Sequence, residues 1–220
     1  MTTNEAAQLL GVTPRRVVQL LNQRLLDGRQ VQRDWLVSAA SVRQREALTT
    51  ARGRPMTPQT SRALIEALDN GTSLPARRGN LLHSRNAELL SSAIAHAVCV
   101  ETFMTRDPQL ALERLHLTAE SALQRLTTET GESLAGQSPE IHGYPRDTSM
   151  EDLIDDAMLV RSDEGTVHVY QFRDGLFPWE ETPAALIAAD AARSDSSRVH
   201  AAGIDALEKK RTKWLASHTQ

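Results

Sequence analysis

The sequence predicts a mainly α chain with a small β wing near its start, a helical middle region and an α+β C-terminal part. Three observations carry this. Apolar residues recur at helical spacing over the first residues and again over the middle of the chain. A short stretch after Gly28 changes to alternation, and a second alternating run, rich in β-branched and aromatic residues, lies at 166–172. The 220 residues suffice for one large domain or two modest ones. No apolar run approaches the roughly 18 residues of a membrane span, and the start lacks a secretory pattern, so a cytoplasmic protein with no membrane partner is expected. Cys99 is the single cysteine, which rules out an intramolecular disulfide and a thiolate metal cage.

The charge is unevenly spread. The net charge is −3, yet residues 1–55 hold nine arginines against Glu5, Asp27, Asp34 and Glu46, a balance of +5 that leaves −8 for the rest. A basic end joined to an acidic body suggests nucleic acid as the partner of the first and a different task for the second.

The basic end can be followed residue by residue. Thr2 and Glu5 have capping-box spacing and open a helix from Thr3 to Leu10, which Gly11 can end in the left-handed conformation. Thr13 and Pro14 supply an N-cap and a first-turn proline for a second helix. On that helix Val17, Leu20 and Leu21 share one side, while Arg15, Arg16, Gln19, Asn22 and Gln23 share the other. Arginine, glutamine and asparagine are the side chains whose geometry matches guanine and adenine edges, so this acid-free face suits reading of the DNA major groove; a merely solvated face is the alternative. Two helices joined by so tight a turn favour the first reading. Arg29 to Gln32 and Trp35 to Val37 read as short strands around an Arg33-Asp34 turn, with Trp35 packing back on the helices and Arg33 reaching a phosphate or the minor groove. Ser38 then caps a third helix running to about Thr49.

The run from Thr3 to Val17, with Asp27-Gly28-Arg29 and Trp35-Leu36-Val37 after it, resembles an excisionase-type, MerR-like winged helix-turn-helix. The match covers about a quarter of the chain and departs from the family at Gln32-Arg33, where glycine is common. It implies binding to double-stranded DNA. Arg52-Gly53-Arg54-Pro55 is similar to the core of an AT-hook, which lays arginines into a narrow minor groove, although a flexible arginine-rich linker explains the same four residues. The candidate DNA-binding set is thus Thr13, Arg15, Arg16, Gln19, Asn22, Gln23, Arg29, Arg33, Arg52 and Arg54, on a module of residues 1–51 and a linker of 52–57.

A helical middle region is expected over 58–128. Its helices begin at Pro58 and stop at Asn70-Gly71, run from about Ser84 to Met104 after a connection at Leu74 to Gly79, and start again at Asp107-Pro108 and after Thr118. His96 and Cys99 lie one turn apart on an apolar helix, which points to packing; no metal and no cofactor is expected. The α+β region of 129–220 opens with a loop over 129–147. A helix capped by Thr148 follows, whose Glu151, Asp152, Asp155 and Asp156 suit the helix dipole or a basic partner better than catalysis. Thr166 to Phe172 reads as a strand, Leu176 to Trp179 as an apolar cluster, and helices are expected after Thr182-Pro183 and over Ala201 to Ala216.

Gly53 to Pro58, Val167-His168-Val169-Tyr170, Phe177-Pro178-Trp179 and the alanine-rich stretch from Ala184 to Ala192 are similar to actinobacterial antitoxins of the type IV abortive-infection class. That resemblance implies an autoregulating repressor whose C-terminal part meets a nucleotidyltransferase-like toxin. Pairing on repeated half-sites implies a homodimer on an operator. No phosphate-cradling glycine loop, nucleophile elbow, metal-ligand spacing or acid–base pair supports an enzyme. An excisionase-like recombination or architectural factor and a ligand-sensing MerR-like regulator remain the alternatives.

Overall fold

The computed structural model of the chain describes residues 1–22, 25, 26, 28–31, 34–39, 41, 42, 45, 56–130 and 139–218, the side chains of 127–130 apart. The capping box forms as the sequence predicts. Thr2 Oγ1 accepts the Glu5 N–H at 3.3 Å while Glu5 Oε2 accepts the Thr2 N–H at 2.7 Å, and α1 (Thr3–Leu9) follows. Gly11 takes φ +62°, and α2 (Pro14–Asn22) leaves the turn with Val17, Leu20 and Leu21 buried. β1 (Gly28–Val31) and β2 (Asp34–Val37) pair antiparallel with Val31 opposite Asp34, so Asp34 belongs to the strand and not to the turn. The first residue extends this ribbon: Val37 N–H donates to the Met1 carbonyl at 2.8 Å, and the Met1 ammonium returns a bond to the Val37 carbonyl at 2.9 Å. Ala6, Ala7, Val17, Leu20, Leu21, Leu26, Val37 and Val42 form a small core of their own, with Trp35 packed against it as expected. Ser38 Oγ accepts the Ser41 N–H at 3.3 Å, the start of the expected third helix, most of which lies outside the described residues.

The rest of the chain is built on a second sheet. Thr57 caps α3 (Pro58–Asn70), which ends at Gly71 with φ +64°. The expected connection at 74–79 is instead entered by α4 (Ala76–Ser84), and α5 (Ala87–Ala95) is capped by Asn86 Oδ1, 3.0 Å from the Leu89 nitrogen. The single helix expected from Ser84 to Met104 is not found: the chain leaves the helix at His96, and β3 (Val98–Met104) follows. Ala93, Ile94, Ala97 and Val98 continue the helical spacing, but Val98, Val100, Thr102 and Phe103 are β-branched or aromatic, and pairing with a distant strand decides between the two. Asp107 Oδ1 accepts the Leu110 N–H and caps α6 (Pro108–Glu113); β4 (Leu115–Leu117), a 3-10 turn (Ala119–Ala122) and α7 (Leu123–Thr130) come next.

Within the stretch expected to be a loop, residues 131–138 lie outside the described residues, but Ile141–Pro145 is a strand, β5. Gly143 reads as a loop signal, yet its hydrogen is needed for close approach: a Cβ there would lie 2.7 Å from Leu115 Cβ and 3.0 Å from the His116 carbonyl oxygen. Ser149, one residue after the expected Thr148, caps α8 (Met150–Asp156). β6 (Val160–Arg161), β7 (Val167–Phe172), α9 (Ala184–Ala191) and α10 (Ser197–His218) complete the chain. Thr182 makes no capping bond to α9; the Asp69 carboxylate of α3 accepts the Ala185 N–H instead, at 3.0 and 3.1 Å.

The sheet has five strands in the order β4-β5-β7-β3-β6, with β5 and β7 parallel and the other neighbours antiparallel. One face, with Tyr144, Tyr170 and Phe172, packs on α3, α5, α7, α9 and α10. The opposite face, with Phe103, Leu115, Ile141, Val167 and Val169, packs on α6 and α8. Residues 58–128 and 129–220, expected as separate regions, contribute strands to this same sheet. The described residues are therefore mixed α/β with more helix than strand, and mainly α fits them only loosely. Among the described residues no helix is long and apolar enough to cross a membrane.

Candidate nucleic-acid interface and a buried polar cluster

Burial of Val17, Leu20 and Leu21 fixes the rotation of α2, so Arg15, Arg16, Gln19 and Asn22 are all exposed, with Thr13 at the helix start. Thr13 Oγ1 accepts the Arg16 N–H at 3.3 Å, and Arg16 Nη1 donates to Gln19 Oε1 at 3.2 Å, which holds two of these side chains side by side. Arg29 is exposed on β1. Gln23, Arg33, Arg52 and Arg54 lie outside the described residues. The sequence reading missed one neighbour: Arg45, half-buried, donates to the Leu25 carbonyl at 3.4 Å. Burial, then the charges of Arg16 and Arg173, push its guanidinium below the usual range. Glu151 and Asp152 lie in the first turn of α8, where acids suit the helix dipole, but Asp155 and Asp156 close the helix at its opposite end, so the dipole does not account for them.

The second constellation sits on the sheet face that carries Tyr144 and Tyr170. Asp190 of α9 is fully buried, pairs with Arg193, and accepts hydrogen bonds from Thr118 Oγ1 at 2.7 Å and Tyr144 Oη at 2.9 Å. Burial pushes its carboxyl up, against the pull of Arg193 and of the two hydroxyl donors. Burial also works against the Arg193 charge, but Asp190 with Tyr170 and Tyr144 outweighs it and holds the guanidinium above its usual range. Arg193 lies over the Tyr170 ring, 5.5 Å from its centre.

Beside this network the parallel register of β5 and β7 places His142 directly opposite His168, and their rings stack at 4.4 Å and 12°. Glu140 Oε2 lies 3.4 Å from His142 Nε2 and 3.3 Å from His168 Nε2. Neither contact meets hydrogen-bond geometry, and neither Nε2 has another partner among the described residues. The outer ring nitrogens are engaged: His142 Nδ1 is 3.2 Å from Tyr170 Oη, and His168 Nδ1 is 3.4 Å from Thr102 Oγ1. Burial, with His168 and Arg193 nearby, pushes His142 down to about 3, and burial lowers His168 despite Glu140, so both rings are neutral near pH 7. No family model, curated protein or solved structure matches this chain. The two constellations therefore rest on their own geometry. In the sequence these two histidines lie far apart. A signal was present in the repeated His-x-Tyr pairs, His142 with Tyr144 and His168 with Tyr170, each pair sharing one face of its strand.

Proposed function

We propose that the chain is a sequence-specific, double-stranded DNA-binding repressor in which residues 1–51 act as a winged helix-turn-helix. The observation that carries this is the exposed face of α2, where Arg15, Arg16, Gln19 and Asn22 stand together with no acid among them, next to an antiparallel ribbon that displays Arg29. A helix presenting arginine and amide side chains in this way matches guanine and adenine edges, and an exposed arginine on the ribbon suits a phosphate. The acidic remainder is assigned to a partner. Sequence resemblance alone supports the type IV antitoxin role and a nucleotidyltransferase-like toxin as that partner, and rescue of cells from the product of the neighbouring gene tests it.

The DNA-binding part is tested with the full chain on random-sequence duplex at two salt concentrations. Affinity is expected to fall steeply with salt, because arginine–phosphate contacts release counterions. Arg29→Ala is expected to weaken binding to all sequences alike and to reduce the log–log salt slope by about 1, the signature of one lost phosphate contact. Salt-independent binding, or none, contradicts the proposal.

A further inference from the structure

We propose that Glu140, His142 and His168 bind one divalent transition-metal ion of the zinc class, with the two imidazole Nε2 atoms and Glu140 Oε2 as ligands. Two imidazoles and one carboxylate are donors that suit such an ion, and three protein ligands leave a fourth position for water or another donor. The spacing fits. The three donor atoms lie within 4.8 Å of one another, with the carboxylate oxygen 3.3 and 3.4 Å from the two nitrogens. Bonds of about 2.0–2.1 Å in a tetrahedral site separate ligand atoms by roughly 3.3–3.4 Å.

The surroundings are those of ligating histidines. A histidine that binds metal through one nitrogen gives its other N–H to an oxygen, which fixes the tautomer and the ring plane. Tyr170 Oη and Thr102 Oγ1 stand at the two Nδ1 atoms in that role. In the tautomer that gives Nδ1–H to these oxygens, both Nε2 lone pairs are free to converge with the Glu140 carboxylate on a cation. The sheet enforces the convergence: Thr102, His168 and His142 lie in one row across β3, β7 and β5. Access is from one side, since the Glu140 side chain is 45% exposed while those of His168 and His142 are 21% and 11%. The nearby Arg193 charge is already paired with Asp190. The site is independent of the DNA-binding face.

The test is titration of the full, untagged and chelator-treated chain with zinc by calorimetry and with cobalt by visible absorption. One ion per chain is expected, with the strong visible bands of low-coordinate cobalt and a rise in melting temperature on adding zinc. Thr102→Val, which keeps all three ligands but removes the oxygen at His168 Nδ1, is expected to weaken zinc binding about tenfold. Glu140→Gln and His168→Gln are expected to weaken it further and to abolish the cobalt bands. Glu140→Gln alters a half-exposed side chain, and its unchanged circular dichroism serves as the folding control. Failure of the unaltered chain to bind either ion at micromolar concentration overturns the proposal, as does unchanged binding by folded Glu140→Gln and His168→Gln chains.

Discussion

Asp190→Ala is expected to destabilise the folded chain by about 3–5 kcal/mol, the cost of stranding one partner of a buried ion pair. Asp190 is 1% exposed and lies near the end of α9. Its removal leaves Arg193 buried without its counter-charge, and leaves the Thr118 and Tyr144 hydroxyls without the acceptor they share. The attraction within the pair is largely cancelled by the desolvation of both charges, so removing both partners together costs much less than removing one. The double variant Asp190→Leu with Arg193→Met is therefore expected to regain most of the loss in urea unfolding. If the single variant loses under 1 kcal/mol, or the double variant is no better than the single one, Asp190 and Arg193 do not form the pair described.

Gly203→Ala is expected to cost about 2 kcal/mol, within the range for forced overpacking of a close-packed interior. In an exposed helix the same change gains about 1 kcal/mol from helix propensity, so the sign depends on space. Here a Cβ would lie 2.3 Å from the Ala192 nitrogen and 2.7 Å from the Ala188 carbonyl oxygen, both backbone atoms of the facing helix end that no rotamer change can move. The alanine-rich sequence of α9 is what allows α10 to come so close. Pushing the helices apart also loads the contacts that α10 makes further on, the Lys210–Asp69 bridge at 2.9 Å and the Glu208 carboxylate that accepts the Ala87 N–H at 3.1 Å. Thermal melting settles the sign, and a gain in stability contradicts the close approach.

What was legible in the sequence was local. The Thr2–Glu5 box, the left-handed Gly11 and Gly71, and the caps at Thr57 and Asp107 each need only neighbouring residues, and each is in place. Burial of Val17, Leu20 and Leu21 likewise follows from helical periodicity. What was not legible depends on partners far along the chain. β3 continues the apolar spacing of α5 without a breaker, and only its pairing with β7 makes it a strand. β5 contains glycine and proline and sits beside a polar stretch, and only its place between β4 and β7 explains why glycine is required at 143. The Glu140, His142 and His168 cluster is a product of that same register, which spacing along the chain does not reveal. The Asp69 cap on α9 is hidden for the same reason: sequence proximity pointed to Thr182, while the group that reaches the free amide comes from α3.

The central claim, that α2 reads base sequence, is tested most directly by selecting preferred sites for the full chain from a pool of random duplexes. The affinities of the unaltered chain, Arg15→Ala and Gln19→Ala are then measured on the selected site and on single-base variants of it. Both side chains are exposed, so both variants are expected to fold as before. Each is expected to lose about 1–3 kcal/mol of discrimination at one base pair while keeping its affinity for random DNA largely intact. Enrichment of no sequence by the unaltered chain, or variants that keep the full preference, would contradict the account.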